Sequence, residues 1–175
     1  MLKKLLVGLL AFCCSGVNLA YIVDGSRINR PKLLSFAKEK LQNQGIIEQA
    51  RNGFAYVKLP DSYVYELINH SYQADFNLPR YKTSEPRNGA LISIIDADES
   101  KHIKQLQEIG TIVNFKPLGF YTIVDHDQEY LRLAVDAPEL SNIRLKYGLS
   151  EKLADHAFSI TVGVRQLTAE NELES

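Results

Sequence analysis

Two short stretches place hydroxyl side chains where they could hold a charged oxygen. In Ser159-Ile160-Thr161 the hydroxyls are two residues apart, and in Leu91-Ile92-Ser93 a hydroxyl closes an apolar triplet. Both lie in strand-like runs, GALISII (89–95) and HAFSITVGV (156–164). Successive side chains on a strand point to opposite faces. Ser159 and Thr161 therefore share one face, while Phe158, Ile160, Val162 and Val164 form an apolar one. Neutral hydroxyls can donate hydrogen bonds to phosphate or sugar oxygens. They do not shuttle protons near neutral pH, a task that suits histidine.

The chain has four histidines. His156 precedes Ser159 by three positions, so in a regular strand it points to the opposite face, and only a bulge or an entry turn brings it round. His102 falls on the exposed side of a polar helical run, and His70 at the end of another. His126 stands between Asp125 and Asp127 in a hairpin turn, where adjacent side chains splay apart, so no metal site is expected. Serine and threonine also occupy strand faces for no functional reason. Ordinary strand positions therefore stay open as the alternative for Ser93, Ser159 and Thr161.

The elements that must position these residues follow from periodicity. RPKLLSFAKEKLQNQG repeats apolar residues at near-helical spacing up to Gly45, which makes 21–52 a helical N-terminal segment. GFAYVKLP (53–60) reads as a strand, and DSYVYELINHSY as a helix capped by Asp61 or Ser62. NLPRYKTSEPRNG (77–89), with two prolines and a glycine, reads as a loop. Then come a buried strand at ALISIID, an amphipathic helix at ESKHIKQLQEIG closed by Gly110, and strands at TIVNFKP, GFYTIVD and EYLRLAVD. APELSNIRLKYG is a short helix with Pro138 in its first turn and Gly148 at its cap. AFSITVGV is the last strand, before a polar tail over 167–175. Strands outnumber helices and hairpins are favoured, so the class is α+β with largely antiparallel pairing.

The chain opens MLKKLLVGLLAFCCSG, two lysines ahead of an apolar run from Leu5 to Cys14. That is the layout of a secretory signal peptide over 1–20, cleaved between residues 16 and 20. The run is far short of the roughly 20 residues that span a bilayer, so no membrane association is expected after cleavage. Cys13 and Cys14 are the chain's 2 cysteines and leave with the leader. The mature chain then has no disulfide, thiol nucleophile or cysteine-ligated metal. Such a chain suits a bacterial periplasmic or secreted protein better than a disulfide-stapled domain. About 155 residues remain, enough for one domain with its own core. Among 20 basic and 21 acidic residues, Lys3 and Lys4 belong to the leader, so the remainder is mildly acidic and shows no patch for duplex nucleic acid. No glycine-rich phosphate loop or metal-ligand motif appears, so no cofactor is expected.

The strand GALISII, the helix APELSNIRLKYGL and the strand HAFSITVG, in this order, resemble the two-histidine (2H) phosphoesterases, in particular the Swiss Army Knife branch. The likeness covers roughly residues 54–165. It implies a bilobal α+β fold with mostly antiparallel sheets and flanking helices over 53–166. It also implies two His-x-Ser/Thr motifs on adjacent central strands facing a cleft, one histidine acting as general base and the other protonating the leaving oxygen. On this chain the motifs fall at Leu91-Ile92-Ser93 and Ser159-Ile160-Thr161: both hydroxyl positions are kept, and Leu91 and Ser159 stand where the histidines belong. The resemblance therefore implies an exported, catalytically inactive relative that binds a phosphate- or nucleotide-containing ligand through Ser93, Ser159 and Thr161, or a protein partner. Two alternatives stay open: a working cyclic phosphodiesterase that uses His156, and an interaction module whose cleft is filled. Arg80, Lys82 and Arg87 could add charge, and Tyr63, Tyr65, Tyr72, Tyr81 and Tyr121 could stack on a base or sugar.

Overall fold

The computed structural model describes residues 25–71, 76–82, 86–88, 90–103, 105–153 and 156–167. In chain order the elements are β1 (Ser26–Ile28), α1 (Pro31–Lys40), β2 (Gln44–Gln49), β3 (Ala55–Lys58) and α2 (Ser62–Ser71). A small hairpin of β4 (Arg80–Lys82) and β5 (Pro86–Asn88) follows, then β6 (Leu91–Ile95), a 3-10 turn (Glu99–His102) and β7 (Ile112–Asn114). The chain continues through β8 (Lys116–Asp125), β9 (Gln128–Asp136), α3 (Pro138–Lys146) and β10 (Ser159–Gln166).

Eight strands form one antiparallel sheet in the order β1-β8-β9-β10-β6-β3-β2-β7. Its two central strands, β10 and β6, are joined at a single ladder pair, Ile160↔Ile92. The sheet is thus two four-stranded lobes that meet at a narrow seam. Helices α1 and α2 pack on β8 and β10, and α3 packs on β6 and β7. Ile92, Ile94, Leu131, Leu133, Ile160 and Val162 lie in one buried core. Burying one such side chain contributes about 1.5–3 kcal/mol. A one-residue slip would exchange Ile92 for Ser93 and Ile160 for Thr161 in that core, so the apolar set fixes the register.

Several sequence expectations need correction. Residues 77–89 are not all loop, since Arg80–Lys82 and Pro86–Asn88 pair as a hairpin. The stretch 21–52 contains α1 but also β1 and β2, which belong to the main sheet. Gly45 does not end a helix but sits inside β2, where a Cβ would come 2.5 Å from Lys58 O. Lys116 and Pro117, assigned to the strand TIVNFKP, instead open β8. The helix expected over 99–110 is one 3-10 turn. Its backbone is captured by side chains of other elements: Leu106 N donates to Gln49 Oε1 (3.5 Å) and Gln107 N to Tyr147 Oη (2.8 Å). Residues 1–24, which include the expected signal peptide, and residues 168–175 lie outside the described residues.

Candidate functional site

Seam geometry makes the site. The lone pair Ile160↔Ile92 sends both side chains into the core, each fully buried. Their neighbours on each strand face the other way. Leu91 and Ser93 from β6 and Ser159 and Thr161 from β10 accordingly line one cleft of about 750 Å³. Carrying the register outward from the lone pair sets Ser159 across from Ser93 and Thr161 across from Leu91. Both motif positions of the 2H pattern thus point into one cavity, with Leu91 only 9% exposed.

Three loops wall the cleft. Ala50, Asn52 and Phe54 come from the turn between β2 and β3, where Gly53 adopts φ +89° and a Cβ would run into Ser100 Oγ. Phe54 stacks on Tyr56 with ring centroids 5.4 Å apart. Asp96, Ala97, Asp98 and Glu99 follow β6. Leu153, His156, Ala157 and Phe158 precede β10. His156 is not on a strand face at all. Strand β10 begins at Ser159, and His156 N donates to Leu153 O (3.0 Å) in a tight turn, which brings the residue to the cleft wall despite its odd spacing.

The floor carries a residue that sequence reasoning passed over. Arg132, in the middle of β9, pairs across the sheet with Thr161 and lines the cleft. Its Nε is buried without a hydrogen-bond partner among the described residues, and its guanidinium carbon lies 6.0 Å from the Tyr130 ring centroid. The signal was present in EYLRLAVD, where an arginine interrupts an apolar strand whose other face is Leu131, Leu133 and Val135.

The charges at the rim differ in kind. Glu99 accepts two hydrogen bonds from Arg144 (2.7 and 2.9 Å), and that bonding holds its carboxyl below the usual carboxylate range. Asp98 pairs with Lys101 at 2.8 Å. Asp96, exposed as a residue, has its carboxyl pushed up first by partial loss of water and then by the charge of Glu99. The other histidines stand elsewhere. His70 stacks on Phe36 at 3.9 Å, His102 is exposed, and His126 Nδ1 lies 2.8 Å from Asp125 Oδ1 in the β8–β9 turn. Tyr63 and Tyr121 are buried, and Tyr65 is exposed on α2; none lines the cleft. Tyr72 and the side chains of Arg80, Tyr81, Lys82 and Arg87 lie outside the described residues.

Two antiparallel lobes joined at paired central strands, with a cleft over their junction, make an α+β domain with the layout that the resemblance implies. The family model described as Swiss Army Knife, 2H phosphoesterase domain matches residues 55–168, and the chain belongs to that family. No curated protein and no solved structure matches it.

Proposed function

We propose that the protein binds a phosphate-bearing ligand, with a nucleotide as the best fit to the family, and does not turn it over by two-histidine chemistry. The observation that carries this reading is the content of the cleft. Three hydroxyls, Ser93, Ser159 and Thr161, converge there, while leucine and serine occupy both places from which imidazoles would act. Each general acid or base contributes roughly 10²–10⁴-fold to a rate, so losing both removes the usual route to hydrolysis. The leader at 1–20 supports export, which would place the ligand outside the cytoplasm. A second reading has its own support: the turn before β10 carries His156 to the cleft wall, where it could serve as acid or base in an active phosphodiesterase.

Hydrolysis of 2′,3′-cyclic nucleotides by the mature chain, beside a Leu91→His/Ser159→His double variant, separates these readings. The proposal expects no turnover by the parent and at least a hundred-fold gain in the double variant. Parent turnover that His156→Ala abolishes would establish the second reading. Silence from both proteins, together with no nucleotide binding by calorimetry, would point to a filled cleft and a protein partner.

A further inference from the structure

We propose that Arg132 anchors the ligand's oxyanion and that the cleft accepts one anionic group, at its Arg132 end, while disfavouring a second at the other. This rests on the cleft being the ligand site. Three arginines of the structure show the contrast. Arg144 is fully buried and bonded to Glu99, and Arg165 Nε donates to Glu129 Oε2 at 2.5 Å. Arg132 has no ion pair among the described residues, and its cross-strand neighbours are Thr161 on β10 and Tyr121 on β8. Its buried Nε has no hydrogen-bond partner among the described residues, a costly state for a charged fork whose geometry matches oxyanions.

The register gives the cleft a polarity. Arg132 lies in the row of Thr161, which faces Leu91. The acids lie beyond the opposite end, because β6 runs from Leu91 through Ser93 to Ile95 and then into Asp96, Asp98 and Glu99. Lys101 pairs with Asp98 and Arg144 with Glu99, which leaves Asp96 as the cleft carboxylate with no direct ion-pair partner among the described residues. A ligand with one phosphate and a hydroxyl- or amine-bearing far end satisfies both ends. A ligand with a phosphate at each end brings like charges together at Asp96, whose exposure lets water and salt weaken the repulsion without abolishing it.

Calorimetric titration of the mature chain with adenosine 3′-monophosphate and adenosine 3′,5′-bisphosphate tests this, with Arg132→Gln and Arg132→Lys alongside. The monophosphate should bind the parent more tightly than the bisphosphate, despite its smaller charge. Arg132→Gln should weaken monophosphate binding ten-fold or more and flatten its salt dependence. Arg132→Lys, which keeps the charge and loses the fork, should fall between. Neither variant should melt below the parent, since a partnerless buried donor is removed. Unchanged affinity in Arg132→Gln, tighter bisphosphate binding, or a lowered Tm in both variants would overturn the inference and leave the binding reading standing. If the parent binds neither nucleotide, the binding reading itself falls.

Discussion

At the scale of single residues, the heaviest electrostatic commitment ties the rim of the cleft to the interior behind it. Arg144 has no exposed side-chain surface, while Glu99 keeps 28%. The guanidinium also donates to Ile94 O (2.5 Å) and Ser150 O (2.8 Å), so one side chain ties α3 to β6, to the acidic rim and to the loop after α3. Removing the carboxylate leaves the arginine buried and uncompensated, which typically costs about 3–5 kcal/mol. Glu99→Ala should therefore lower unfolding stability by about 3 kcal/mol in urea. The pH dependence has a definite sign. Hydrogen bonding from Arg144 depresses the Glu99 carboxyl in the folded state, so its contribution is complete above the unfolded value of ~4.3 and is lost as pH falls through the folded value. The stability gap between the parent and Glu99→Gln should close on acidification below about pH 4. A gap that stays constant, or widens, would show that the pair does not stabilise the fold.

At the scale of elements, periodicity located what local pattern controls. Helices α1, α2 and α3 and the strands around Ile92, Leu133 and Ile160 follow from apolar spacing, and so do the two motif strands. What escaped were features set by distant partners. β2 is polar at both ends, and it is held by pairing with β3 and β7. The β4–β5 hairpin lies in a stretch whose prolines and glycine signal a turn. Residues 103–110 have helical spacing, yet Gln49 and Tyr147, far off in sequence, take their backbone donors. Arg132 is visible in sequence only as an interruption, and only the β9–β10 register puts it opposite Thr161. Tyr147 supplies a direct check. Its hydroxyl accepts from Gln107 N and donates to Glu108 Oε2 (2.9 Å). Tyr147→Phe should cost about 1 kcal/mol, with faster amide exchange concentrated at 105–108. Unchanged exchange there would mean that the hydroxyl does not hold this segment.

At the scale of the whole molecule, the chain weaves the lobes together. β1 starts in the lobe of β8–β10. The chain then builds β2, β3, β6 and β7, and returns for β8, β9 and β10. Between β3 and β6 it reaches back: α2 packs on β10, and Asn77 bridges to Val164 (N to O 2.8 Å). Gly163 lets that crossing lie close, since a Cβ there would stand 2.8 Å from Phe76 Cβ. With one shared core, the lobes should not unfold separately. The chain has 9 tyrosines and no tryptophan, so tyrosine fluorescence and far-UV circular dichroism should trace coincident urea transitions. Two separated midpoints would contradict this. The lone pair at Ile160↔Ile92 has a last consequence. It acts as a local two-fold pivot in the backbone, yet the side chains around it break that symmetry, with Leu91 and Thr161 on one side and Ser93 and Ser159 on the other. The groove consequently has a head and a tail, so whatever lies across the pivot meets a different surface at each end.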